Sequence, residues 1–588
     1  MVNQPLDTLN ALRTDYSRAA ARRKAAALRA FIASPPLNPA QIRTLHDSLL
    51  FIAAYPDDPT VMRLAEKCLR ALCRTITRST ALSRRLANSG ILGTVTTHEF
   101  SRLMAKWLTA KFPKDLDIDW SDEAAVDRLE ALLPHLVRPC ERDGLYAEHL
   151  STREWLDLAR GKMPAMMYLV GRFRRLQCSA AIGETLFESL SLATRWKLIR
   201  SDASRSFARF PARRGFHQRE PILKKVELRT LMERRLPASV KSSRAATEKL
   251  LDACRVTLCT RNREIDTLTY VNPQEVYFHQ LERGIDVAVF GMSPSWRLPI
   301  ESYFGFVAAR NRVPIAYGGG WVLFDRCEIG VNIFDEFRGG ESAYTFAQVL
   351  RVYRQIFKPT RFYVDPFQFG ADNPEAIRSG AFWFYHRLGF RPTEGVLQSL
   401  AAEESQRIAT QRGYRSPPAV LRRFAKGKLL LDLNRPAEDG KIFGAIAKHA
   451  PRGGAPVDLD LTALSLATTR WIGTRPEARP RESGMESEWL IRRLFGKWPA
   501  DGMTYSEVIR FEWLCLLLGP IEVEVKRWPA KVRSAIADAF RAKGGTKERL
   551  YARRLAAIPQ LREAWLRLAT TAPKPLQTTA QRTPSGRR

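Results

Sequence analysis

Two stretches of the 588-residue chain place reactive or charged side chains in patterns that can do chemistry. In the first, a strand-like run from Cys327 to Phe334 ends in a basic-glycine turn, Arg338-Gly339-Gly340, that leads straight into a helix-like segment, Glu341 to Phe357. A second strand follows at Arg361 to Asp365, and Asn373-Pro374 opens a helical run closing on Phe384-Tyr385-His386-Arg387-Leu388-Gly389-Phe390. Strand, glycine turn and helix in that order aim backbone N–H groups and a positive helix end at a phosphate. The same turn also serves simply to pack helix on sheet. In the second stretch, 201 to 221, Arg205, Arg209, Arg213, Arg214 and Arg219 alternate with Phe207, Phe210, Phe216 and His217 around Pro211 and Gly215. Arginine neutralises phosphates and phenylalanine stacks on bases, a grip for single-stranded nucleic acid. The plainer reading is a basic linker whose rings tuck onto a neighbouring domain.

The hairpin before the turn, the Arg-Gly turn itself and the Asn…Ala…Tyr-x-x-Leu-Gly-Phe ending resemble the GNAT acyltransferase superfamily, over roughly Glu264 to Thr393. The resemblance implies a mixed sheet and acetyl-CoA or another acyl-CoA as co-substrate, with the acyl group passed to an amine. It also implies that the strand around Ile333 splays from its neighbour to pair with the pantetheine arm. Arg338, Gly339, Gly340, Ser342 and Ala343 then hold the phosphates at the helix start, and Asn373 matches the asparagine near the arm. By the same resemblance Tyr385 protonates the departing thiolate, since a phenol stays protonated at neutral pH. Glu328, at the start of the splayed strand, is the candidate base, with His386 a weaker one.

The chain departs from the family at the turn. That turn usually runs Arg or Gln, two residues, Gly, one residue, then Gly or Ala. Counted from Arg338, Glu341 occupies the glycine place; counted from Phe337, the first residue is apolar and the last is Ser342. A carboxylate there suits the positive end of an empty helix and repels a diphosphate.

The elements that must position these groups read as follows. From Met1 to about Arg200 the pattern is helical, with starts at Asn38-Pro39 and Asp58-Pro59 and a capping box from Ser151 to Glu154. Helix resumes from Ile222 to Cys254. Arg255–Thr260 and Ile265–Tyr270 alternate with period two and predict a hairpin. Ile285–Phe290, Phe304–Arg310 and Val313–Phe324 are further strands, the last interrupted by Gly318-Gly319-Gly320, which weakens it or marks a bulge. After Gln398 helices return, with linkers at 451–456 and 474–483 and a basic tail at 574–588 that reads as disordered.

The expected fold class is therefore α+β/α and multidomain, a central GNAT-like mixed sheet with helices flanked by N- and C-terminal all-α domains. The expected units are a helical domain over 1–200, a basic linker and helix over 201–250, the acyltransferase-like domain over 251–400, a helical domain over 401–573 and the tail. Lys plus Arg number 94 against 61 Asp plus Glu, a net charge of +33. That field attracts RNA or another polyanion; equally, it is an arginine excess on solvated helix faces. No run reaches the ~18 apolar residues of a membrane span. The N-terminus lacks a secretory pattern, and the eight cysteines form neither a metal site nor a disulfide framework. A cytoplasmic location is the expectation. The function classes that remain are an acyl-CoA-dependent N-acyltransferase with an unidentified amine acceptor, a cofactor-less GNAT-fold module binding nucleic acid or protein, and an aminoacyl-tRNA-dependent transferase.

Overall fold

The structure, a computed structural model, describes residues 3–147, 149–212, 215–240, 242–435, 458–475, 487–496 and 502–571. Arg213 and Arg214, the 451–456 linker, most of the 474–483 linker and the 574–588 tail lie outside the described residues.

The chain is organised on a mixed sheet of eight strands. In chain order these are β1 Val271–Gln280, β2 Ile285–Met292, β3 Ser302–Arg310, β4 Val313–Leu323, β5 Arg326–Ile333, β6 Arg361–Val364, β7 Arg391–Pro392 and β8 Leu429–Asp432. Their spatial order is β7-β8-β6-β5-β4-β3-β2-β1, antiparallel throughout except between β5 and β6. A helix, Ser342–Phe357, makes the crossover between that parallel pair. Parallel neighbours need such a crossover, and it accounts for the long apolar stripe of the helix, buried at Phe346, Val349, Leu350, Tyr353 and Phe357.

Local chemistry explains the meander. β3 turns into β4 through Asn311 and Arg312, both with positive φ (47° and 69°), the conformation of a two-residue turn whose twist matches the strands. The three glycines of β4 do not interrupt it. Pairing to β3 and β5 runs straight through them, and the irregularity falls at Ala308/Ala309 of β3 instead. Side chains have no room at two of these positions: a Cβ on Gly318 would lie 2.1 Å from the Gly330 carbonyl oxygen, and one on Gly320 2.5 Å from the Tyr353 ring.

Several expectations need correction. Residues 255–260 are not a strand but the end of a helix, Arg244–Cys259, capped by Ser243, whose Oγ accepts the Ala246 N–H; Asp266–Thr269 is a further helical turn. The N-terminal part is not all-α, because Val95–His98, Leu116–Ile118 and Thr194–Lys197 form a three-stranded antiparallel sheet. Nor does it pack as one unit over 1–200. Leu6 to Ile91 share a hydrophobic core with the main sheet, whereas Phe100 to Ala203 form a second core with Ala208, Val256 and Cys259. A boundary at residue 400 cuts through the sheet, since β8 lies between β6 and β7. The described residues from 461 onward are helical as expected and build a third core around Leu490, Phe511, Phe540 and Trp565. Among the described residues no helix is long and apolar enough to cross a membrane.

Candidate functional site

β5 and β6 pair at only three positions, Arg326 with Arg361, Cys327 with Phe362 and Glu328 with Tyr363. Beyond Glu328 the strands part. β5 continues along β4 to the Ile333–Ala316 pair, and the Phe334 N–H bonds the Ile315 carbonyl, while β6 ends at Val364 and turns into Pro366–Phe369. Separation leaves backbone groups of β5 without a parallel neighbour, so they must find other partners.

Two side chains line the parting. Tyr385 sits on the Ala381–Arg387 helix, 2% exposed, among the rings of Phe346, Phe369, Phe384 and Phe390 at centroid distances of 5.2 to 6.5 Å. Its hydroxyl oxygen accepts the Val331 N–H. Burial pushes the phenol well above its ordinary pKa, and that hydrogen bond offsets only part of the rise. The phenol therefore keeps its own proton to donate. Gln368 covers the opposite position, its amide 3.0 Å from where a Cβ on Gly330 would stand.

The other expected residues divide. Glu328 accepts from Lys428 at 2.8 Å, and Lys428 also donates to Asp458 at 3.1 Å. Burial works to lower the Lys428 pKa, and the two carboxylates more than reverse it. The candidate base is thus held in an ion pair. Ile333 is half-buried and belongs to the main core. His386 is half-buried, its ring against Phe382 and Trp383. Asn373 spends its amide on structure, accepting from the Ala376 N–H at 3.1 Å and donating to the Phe367 carbonyl at 3.0 Å, so it acts as a helix cap.

At the turn, Gly339 has φ +85° and open space where a Cβ would stand. The N–H groups of Ser342, Ala343 and Tyr344 meet no acceptor among the described residues. Arg338 is half-exposed but already engaged, 2.9 Å from Asp335 and 2.6 Å from Glu375. The Glu341 N–H is also taken, by the Tyr55 hydroxyl at 3.1 Å. Arg13 donates to the Arg338 carbonyl at 3.0 Å and to that of Glu336. The N-terminal helices therefore lie against the turn.

Glu341 neither faces solvent nor covers the helix N–H groups. Its carboxylate is fully buried, accepting from Arg283 at 2.6 and 3.1 Å, Arg310 at 2.5 Å, Gln218 at 3.3 Å and the Leu223 N–H at 3.1 Å. Burial would raise its pKa, and the Arg283 hydrogen bonds, the Arg310 charge and the Leu223 N–H together hold it below the ordinary value. Glu336, in the short helical turn Asp335–Phe337 that follows β5, is a second buried anchor, 2.7 Å from Arg261 and 3.2 Å from Arg205. Against the cost of burial those two arginines bring its pKa down to about 2. Arg205 belongs to the basic-aromatic stretch. It is spent on Glu336 and on Asp47, and Phe210 is fully buried against Phe278, so these two members of the stretch serve as packing between layers.

Sequence reasoning missed Tyr55, Arg310, Arg283 and Arg205 as parts of this region, since their partners lie 31 to 286 residues away in the chain. Among the described residues no group of His, Cys, Asp and Glu is arranged to hold a metal ion. No protein-family model, curated protein or solved structure matches the chain.

Proposed function

We propose that the chain is an N-acyltransferase of the GNAT type, taking an acyl group from acetyl-CoA or another acyl-CoA and passing it to an amine. The observation that carries this reading is the parting of β5 from β6 beyond Glu328 with the Tyr385 phenol on the Val331 N–H. An extended acyl-thioester arm suits such a gap, because it can pair with β5 as a strand does. The amine nitrogen attacks the thioester carbonyl carbon and the carbon–sulfur bond breaks. The departing thiolate takes its proton from Tyr385, and the proton released by the nitrogen passes through Glu328 or water to restore the Tyr385 phenol, so one proton moves from nitrogen to sulfur overall. Glu328 can receive that proton only once Lys428 lets it go.

The turn fits a diphosphate only in part. The free N–H groups of Ser342 and Ala343 favour it, whereas Arg338 is committed to two carboxylates and the Glu341 N–H to Tyr55. That occupancy supports a second reading, a GNAT-fold module without CoA that binds protein or nucleic acid, or a transferase whose carrier is aminoacyl-tRNA. Calorimetry on the full chain with acetyl-CoA and with tRNA separates them. Micromolar acetyl-CoA binding is expected. Steeply salt-dependent tRNA binding with no acetyl-CoA binding would replace the first reading by the second.

A further inference from the structure

We propose that the cavity between residues 370–378 and the Pro418–Phe424 helix binds a phosphate monoester, its phosphate gripped by Arg378 and Arg422. The cavity, open to solvent on one side, offers about 500 Å³, within the ~300–1,000 Å³ of small-molecule sites. Its walls combine an apolar side, Pro374, Ile377, Pro418 and Ala425, with those two arginines and one acid, Asp372. Neither arginine has a carboxylate or hydrogen-bond partner among the described residues, unlike Arg338, which joins the same helix through Glu375.

Two guanidinium groups against one carboxylate leave positive charge for a ligand to neutralise. A doubly charged phosphate matches it better than a carboxylate does, and each planar fork presents paired N–H groups to phosphate oxygens. The apolar wall supplies contact for an organic ester group. The elements that carry the walls are held by packing behind them. Phe382 stacks on Phe424 with centroids 3.7 Å apart and planes within 4°, and Trp383 donates to Ser416 at 3.1 Å. Gly370, at φ +147°, lets the loop close on Ile377, whose Cδ1 would lie 2.3 Å from an added Cβ. A held backbone removes part of the ordering cost of binding, and the two exposed arginine side chains are ordered by the ligand. No step of the acyl transfer uses this cavity.

Calorimetry on the full chain tests the assignment with phenyl phosphate, inorganic phosphate and benzoate as probes. Phenyl phosphate is expected to bind at least about tenfold more tightly than benzoate, and Arg378→Ala with Arg422→Ala to weaken it about tenfold or more, the loss of one charge-assisted contact or more. Inorganic phosphate is expected to bind more weakly than the ester. Both cavity arginines are exposed, so the double variant should fold, and its circular dichroism should match the parent. The proposal is overturned if phenyl phosphate does not bind, if benzoate or inorganic phosphate binds as well, or if the double variant binds undiminished.

Discussion

The hydroxyl oxygen of Tyr55 accepts the backbone N–H of Glu341 at 3.1 Å, 286 residues apart in the chain. A residue of the N-terminal helices thereby occupies one of the donors that a phosphate at this helix start would use. Tyr55→Phe leaves that N–H without its acceptor and is expected to cost about 1–3 kcal/mol in chemical denaturation. If the turn takes a diphosphate, the same variant binds acetyl-CoA more tightly. Unchanged stability would show that the contact carries no weight.

Replacing Tyr385 by Phe removes the phenol proton and keeps the ring in its aromatic pocket. Acyl transfer is expected to fall by about 10²-fold or more without loss of acetyl-CoA affinity, since the Val331 N–H released by the change is free for the arm. Turnover equal to the parent removes the acid role from Tyr385.

Glu341→Ala leaves Arg310, itself fully buried, and Arg283 facing each other without their carboxylate. The expected loss is about 3–5 kcal/mol, the cost of an unpaired buried charge. Arg338→Ala, which breaks half-exposed pairs, should cost no more than about 1 kcal/mol. Equal effects from the two would refute the buried triad as the anchor of the turn.

The Glu336 pKa lies at about 2, below its ordinary 4.5. A depressed acid pKa means that the unfolded chain binds the proton more readily, so the contribution is full above about pH 4.5 and is lost as pH falls toward 2. That shift corresponds to roughly 3 kcal/mol. Denaturation of the parent and of Glu336→Gln should differ most near pH 6, less at pH 3, and converge toward pH 2. A gap independent of pH would contradict the assignment.

Gly318→Ala sets a methyl group 2.1 Å from the Gly330 carbonyl oxygen, where only backbone movement between β4 and β5 relieves the clash. A loss of about 1–3 kcal/mol or more is expected from such overpacking. Gly339→Ala meets open space and pays only for its positive φ, about 1 kcal/mol. Thermal unfolding of the two variants orders them.

How far the fold could be read from the chain depended on where each partner lay. Strand β5, the turn and the crossover helix fell within a residue of expectation, because their alternation, glycines and apolar stripe are local signals. Residues 255–260 misled for a physical reason. Leu250, Leu251, Cys254 and Leu258 point into one core and Val256 and Cys259 into another, so the polar face that betrays a surface helix is missing. Glu341 was recognised as anomalous, but its burial was invisible, since Arg283 and Arg310 come from other strand ends. Asn373-Pro374 was legible as a cap, and the cap is what it is.

That double-faced helix, Arg244–Cys259, also bears on how the molecule comes apart. Its residues are shared property of the sheet core and of the neighbouring core from Phe100 to Ala203. Melting it strips apolar cover from both at once, so the two regions should lose protection against hydrogen exchange together, as a single cooperative block.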